Sequence, residues 1–150
     1  MIEQIKQVRE FMETCGQVVR HTPVSKLPPE EALLRIKLLQ EELNELAEAV
    51  DVGFHTGGLA TPGAPVRVLV PDALDALGDI LYVLLGAAHT LGLADKLPAA
   101  FAEIHRSNMS KLGTDGKPIY SPAGKVLKGP NYTPPDIAKI LAEPTTNVFN

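Results

Sequence analysis

Apolar residues near the start of the chain recur at helical spacing. Ile5, Val8, Phe11 and Met12 follow the i, i+3, i+4 rule, predicting an amphipathic helix over 2–15 that Gly16 ends in a left-handed cap. Phe11 is expected in the core of that packing. Residues 17–27 show no clear period, and Pro28-Pro29 then suit the first turn of a second helix, which continues through Glu30 to about Asp51 and stops near Gly53. Gly57-Gly58, Pro62-Gly63 and Pro65 mark 54–65 as a surface loop. Residues 66–70 suit a short extended piece. Pro71-Asp72 opens a third helix that runs to about Leu91 before Gly92, and a fourth is predicted from about Lys96 to Lys111. Beyond it, 113–135 is rich in Gly, Pro, Lys and Asn, yet Ile119, Tyr120, Val126, Leu127 and Tyr132 give it apolar anchors. It reads as an ordered loop or small hairpin, followed by a short helix near 135–143. The predicted architecture is all-α: one domain over 1–150, with four main helices in a core to about 112 and an irregular C-terminal tail over 113–150.

Two of these helices carry acids where simple burial would not put them. On the second, Ile36, Leu39, Leu43, Leu46 and Val50 form one stripe, the face expected to bury. Glu41, Glu45 and Glu48 fall opposite it, within about 60° of one another, with Glu42 beside them. A solvated acidic face is one explanation. Like charges at i, i+4 destabilise a helix, however, and no Lys is interleaved between Gln40 and Val50, which points toward a hard cation held by oxygen ligands. The third helix is apolar on nearly every side through Leu74, Leu77, Ile80, Leu81, Val83, Leu84, Leu85 and Ala88, and is expected to be buried, partly in a subunit interface. It nevertheless carries Asp72, Asp75 and Asp79. The helix dipole accounts for Asp72. Asp79 lies beyond its reach and in such surroundings needs a positive partner. Arg35, Lys37 or Arg67 would serve, but a metal shared with the second helix answers both anomalies.

Composition narrows the chemistry. A net charge of −4 and a pI near 5.5 give no broad basic footprint, so a nucleic-acid polymer is not an expected partner. Cys15 is the lone cysteine, which rules out an intrachain disulfide or thiolate metal site and suits a reducing cytoplasm. The longest apolar run, Ile80 to Ala88, is too short for a bilayer, so a soluble protein without a membrane partner is expected. His21, His55, His89 and His105 are scattered, and no Glu-x-x-His element supports a di-iron carboxylate bundle. Neither P-loop spacing nor a nucleophile motif is present. Hard-metal chemistry on a phosphate ester remains.

Glu41-Glu42-Leu43-Asn44-Glu45 resembles the EExxE motif of the all-α NTP pyrophosphohydrolases, the MazG and phosphoribosyl-ATP pyrophosphohydrolase superfamily. Leu77-Gly78-Asp79-Ile80-Leu81-Tyr82 resembles the end of that family's ExxD motif, with Ala76 where its Glu stands and Asp75 as the substitute. Residues Phe101 to Lys111, and Gly129-Pro130-Asn131-Tyr132 with Pro134-Pro135, are similar to the dimeric dUTPase-related branch, which has phage members. The resemblance implies a MazG-like bundle assembled as a dimer or tetramer, in the cytoplasm or in that of a phage host. It also implies hydrolysis of a (d)NTP to (d)NMP and pyrophosphate by water attack at the α-phosphorus, with dUTP, dCTP and dGTP or GTP as candidate substrates. Glu41, Glu42, Glu45, Asp75 and Asp79 would hold two or three Mg²⁺ or Mn²⁺ ions. Glu41 or Glu42 would serve as general base, with Glu48 in reserve. Asn108 would read a base edge, Lys111 would contact phosphate and Tyr82 would stack on the base. Lys125, Lys128, Asn131 and Tyr132 would close the tail over the nucleotide. The alternative is a catalytically silent nucleotide-binding or protein-interaction module, which Ala76 keeps open.

Overall fold

The structure, a computed structural model, describes residues 1–50 and 66–144; the predicted loop over 54–65 lies outside them. The chain forms two compact units, Met1–Ala94 and Asp95–Asn150.

The first unit is built from α1 (Ile2–Thr14), α2 (Pro29–Ala49) and α3 (Val70–Leu91). In α1, Ile5, Val8 and Met12 occupy one stripe and are buried against α3, the predicted pattern less Phe11, which is 48% exposed. Pro29 starts α2 at a position whose amide has no helical partner, and Glu30 and Glu31 in the first turn complement the dipole. The Leu69 amide donates to the Ala49 carbonyl at 2.8 Å, so the chain re-enters beside the end of α2 and α3 returns antiparallel to it. Residues 66–69 join no strand. Small residues of α3 (Ala73, Ala76, Gly86, Ala87, Ala88) are buried and let the helices approach closely. Leu85 is 1% exposed; sealing such a side chain from water contributes about 1.5–3 kcal/mol.

At its C-terminus α3 meets the aperiodic segment 17–27. Gly92 caps the helix at φ 68°, and the Arg20 and Val24 amides donate to the carbonyls of His89 and Leu91 at 3.0 and 3.1 Å. The Leu91 carbonyl would otherwise lack a helical partner, while that of His89 also accepts from the Gly92 amide at 3.1 Å. A Cβ on Gly92 would meet the Thr22 carbonyl oxygen at 1.9 Å, so conformation and space both demand glycine. Buried His89 donates from Nε2 to the Ile5 carbonyl at 2.9 Å, tying α3 to α1.

Two predicted burials are not realised within the chain. On the supposed core stripe of α2, Ile36 is 66% and Leu43 52% exposed. In α3, expected to be buried all round, Leu74 is 72% exposed, and Leu77, Leu81 and Leu84 are also open. Periodicity identified apolar faces; α1 and α2 cover only the small-residue side of α3. By length and composition α3 would be able to cross a membrane, with mean hydropathy 1.3, but Asp72, Asp75 and Asp79 lie along it and it is a packing helix of this unit.

The second unit contains a 3₁₀ turn (Ala94–Lys96, which begins at the last residue of the first unit), α4 (Leu97–Met109) and α5 (Ile137–Ala142). Between the helices an isolated antiparallel bridge joins Tyr120 and Val126, the small hairpin anticipated from the apolar anchors. Side chains bind this irregular stretch to α4. Ser107 Oγ donates to the Thr133 carbonyl at 2.9 Å, the Thr133 amide donates to Ser110 Oγ at 3.0 Å, and Arg106 reaches Thr133 Oγ1 and the Pro134 carbonyl. Glu103 takes two 2.8 Å hydrogen bonds from Arg106 and one from the Asp136 amide; these hold its carboxyl at about 2. Asp136 caps α5 through the Lys139 amide. Gly129 packs so closely that a Cβ would lie 2.4 Å from the Leu112 carbonyl oxygen.

Candidate active site on the antiparallel helix pair

The α2–α3 pairing sets the two runs of acids side by side. A cavity of about 440 Å³ is lined by Glu45, Glu48, Ala49, Leu69, Asp72 and Asp75. Asp72, assigned from sequence only to the helix start, is thus also a wall of this cavity. Glu42 is half-buried, and its carboxyl is pushed up by burial first, then by repulsion from Glu45, Asp79, Glu41 and Asp75. That repulsion shows that acids from both helices share one electrostatic neighbourhood. Glu41 is compensated by Lys37, whose Nζ lies 3.6 Å away across one turn. The pair is exposed and contributes little stability. Lys37, offered from sequence as a partner for Asp79, is thus taken up on its own helix one turn away.

Asp79 does not occupy the apolar surroundings expected of it: it is exposed, as is Asp75. The leucines flanking it are themselves open, so the predicted burial penalty does not arise. None of the three proposed ion-pair partners holds it: Lys37 pairs with Glu41, Arg35 bonds to Thr90 and Gln17, and among the described residues Arg67 makes no ion pair with Asp79. Ala76 is 2% exposed, so a longer acid there would project between the helices, whereas Asp75 lies on the open side and lines the cavity. Among the described residues no three His, Cys, Asp or Glu side chains converge closely enough to hold an ion as they stand. The donor set still suits Mg²⁺ or Mn²⁺: it is all carboxylate, mutually repelling and open to water, and Mg²⁺ keeps several waters of its own.

Farther along the same helices, a second cavity of about 320 Å³ is lined by residues including Phe11, Gln17, Arg35, Leu38, Tyr82 and Gly86. Phe11, expected in the core, instead meets Tyr82 edge-to-face, with ring centroids 5.7 Å apart and planes at 77°. The Tyr82 hydroxyl is pushed up, by burial first and then by Cys15 and Glu10. Arg35 donates from Nε to Thr90 Oγ1 at 2.8 Å and from Nη2 to Gln17 Oε1 at 2.9 Å. Partial burial lowers its guanidinium and Glu31 raises it again. Arg20 grips Glu31 with both terminal nitrogens, at 2.7 and 3.2 Å, and donates to the Thr90 carbonyl. Sequence spacing could not find this network, because it joins the segment after α1 to α2 and the end of α3.

The remaining predicted substrate contacts belong to the second unit. Asn108 and Lys111 are joined, the Lys111 ammonium donating to Asn108 Oδ1 at 2.7 Å. Lys128 lies 4.5 Å above the Tyr132 ring.

An all-α body with acids of two antiparallel helices around one cavity defines a class of helical phosphoanhydride hydrolases. The sequence profile of the phosphoribosyl-ATP pyrophosphohydrolase family matches residues 8–108, and the chain belongs to that family, within the MazG-like all-α NTP pyrophosphohydrolase superfamily. It is therefore a hydrolase acting on phosphoric anhydrides. No curated protein gives a significant match.

Proposed function

We propose that this protein is a metal-dependent nucleoside triphosphate pyrophosphohydrolase, converting a (d)NTP to (d)NMP and pyrophosphate by water attack at the α-phosphorus. The observation that carries the reading is the cavity lined by Glu45, Glu48, Asp72 and Asp75, beside which Glu42 is crowded by Glu45, Asp79, Glu41 and Asp75, acids of two helices. Glu41, Glu42, Glu45, Asp75 and Asp79 would hold Mg²⁺ or Mn²⁺. Such an ion, when bound, supplies positive charge to the triphosphate and the departing pyrophosphate. The general base would be a carboxylate that does not ligate the ion, with Glu42 favoured over Glu41, which already pairs with Lys37. Glu48 is the reserve. Asn108, Lys111, Lys128 and Tyr132 stand as nucleotide contacts on the family resemblance alone. Candidate substrates are dUTP, dCTP and dGTP or GTP, met in the cytoplasm, or in a host's cytoplasm for a phage enzyme.

The exposed Ile36 and Leu43 of α2 and Leu74, Leu77 and Leu81 of α3 support self-association as a dimer or tetramer, because monomers seldom leave so much apolar surface in water. Light scattering across a dilution series tests this. A second reading, a silent nucleotide-binding module, is favoured by two observations: Ala76 stands where the resemblance puts a Glu, and among the described residues no three acids converge. A panel of NTPs and dNTPs with Mg²⁺ or Mn²⁺, separating pyrophosphate from orthophosphate, decides. Pyrophosphate with monophosphate is expected. Orthophosphate with diphosphate overturns the mechanism, and binding without turnover selects the silent module.

A further inference from the structure

The two helices that carry the acids are tied together at both ends. At one end the Leu69 amide donates to the Ala49 carbonyl at 2.8 Å. At the other end Thr90, 2% exposed, is a node. Its Oγ1 accepts from Arg35 Nε at 2.8 Å and its carbonyl accepts from Arg20 Nη1 at 2.9 Å. The Thr90 hydroxyl donates in turn to the Gly86 carbonyl at 3.1 Å, which leaves its lone pairs for Arg35. From α2, Arg35 thus crosses to α3 at Thr90 and also reaches Gln17 Oε1, in the segment after α1, at 2.9 Å. Its Nη1 is packed against α3 at Gly86, where a Cβ would stand 3.3 Å away. Glycine inside a helix is destabilising. At position 86 the missing side chain is the seat of the guanidinium.

The packing of α3 explains why such a tie is needed. Its buried surface includes Ala73, Ala76, Ala87 and Ala88. Small residues allow helices to come close, but they offer few knobs to interlock, and interlocking side chains are what confine packed elements to a single arrangement. Directional bonds at the ends then carry the alignment.

Every acid of the candidate site lies between the two ties. On α2, Glu41, Glu42, Glu45 and Glu48 fall between Arg35 and Ala49; on α3, Asp72, Asp75 and Asp79 fall between Leu69 and Thr90. Glu48 and Asp72 sit close to the Ala49 tie. Glu41, Glu42 and Asp79 are the farthest from it, and Glu42 is seven residues from Arg35, roughly 10 Å along the helix.

We infer that Arg35, seated on Gly86 and bonded to Thr90, is a positioning residue that fixes the far end of α2 against α3 and so sets the spacing of Glu41 and Glu42 from Asp79. Arg35 acts through the alignment of the helices and touches neither nucleotide nor ion. The role deepens the metal-dependent reading of the acid cavity and rests on it for the effect on metal, whereas the alignment itself is measured without metal.

The test uses the full chain with Cys15→Ser and nitroxide labels at two pairs of exposed positions, Ile36 with Leu84 toward Thr90 and Asn44 with Leu74 toward Ala49. Labelled chains are diluted with unlabelled ones, so that only distances within a chain are read. In metal-free protein, Arg35→Met and Thr90→Val should each broaden the Ile36–Leu84 distribution and shift it by about 1–2 Å, the scale of packed-helix shifts, and leave Asn44–Leu74 narrow. Calorimetric titration with Mn²⁺ alone should show about tenfold weaker binding in both variants, as when support behind metal ligands is lost. Arg35→Lys keeps one donor for Thr90 but not the second for Gln17, and should recover part of that affinity. Thr90→Val is close in shape to threonine and carries the test if circular dichroism shows Arg35→Met unfolded. Unmoved Ile36–Leu84 distances overturn the inference even where urea stability falls, and leave the hydrolase standing. Shifted distances with unchanged Mn²⁺ affinity also overturn it, because the alignment then does not govern the acids. Shifted distances in a chain that binds no Mn²⁺ before substitution would overturn the metal-dependent reading and leave Arg35 as the residue that aligns the helices.

Discussion

The two units of this chain hold themselves together by different means. Residues 1–94 carry thirteen acidic and seven basic side chains, and residues 95–150 carry five and seven, so one is strongly negative and the other mildly positive. The first unit relies on helix-on-helix packing through Ile5, Val8, Met12, Leu85 and a run of alanines. The second buries few apolar side chains and instead fixes its irregular stretch with Ser107, Ser110, Arg106 and Glu103. Packing in the first unit does not draw on Glu42, Glu45, Asp75 or Asp79. In the second, the polar side chains are spent on structure, which is why the Ser107–Ser110 segment that resembles the family reads in the structure as a latch on Thr133.

This contrast can be broken in order of expected effect. Asp79→Asn or Glu45→Gln should cut turnover by about 10²–10³-fold, the scale of losing one electrostatic contributor in an active site, with the circular dichroism spectrum unchanged. Full activity in both variants would remove the cavity acids from catalysis. Leu85→Ala should destabilise the first unit by about 2–5 kcal/mol in urea titration, whereas Leu74→Ala, at an open position, should change monomer stability by less than about 0.5 kcal/mol. Ser107→Ala should cost about 1–2 kcal/mol and act locally, raising amide exchange around 130–136 but not in α1 or α3. Smallest is the pH effect of Glu103. Its carboxyl is lowered from the ordinary 4.5 to about 2, so its contribution is full above 4.5 and fades as pH falls toward 2. Amide shifts at Asp136, followed between pH 5 and 2, should report that titration, and Glu103→Gln should abolish it.

Helices were legible from sequence because a 3.6-residue period, proline at the first turn and glycine past the last are local signals. Each of α1, α2, α3 and α4 lies within two or three residues of its predicted bounds where the ends are described. What covers an apolar face is not local, and there the reading failed: Ile36, Leu43 and Leu74 are apolar, regular and open. The same limit applied to Asp79, whose expected burial was borrowed from those leucines. The acids themselves could be placed on their helix faces from angle alone. Arg35 could not, since its setting depends on a hydroxyl 55 residues away. The composition change after 112 was also legible, although the compact units divide earlier, between Ala94 and Asp95.

The close approach of Thr22 to Gly92 couples the 17–27 segment to the end of α3: the Arg20 and Val24 amides donate to His89 and Leu91 only while the final turn of α3 is formed. Hydrogen exchange at those two amides is therefore a remote gauge of fraying at the far end of the helix that carries the aspartates.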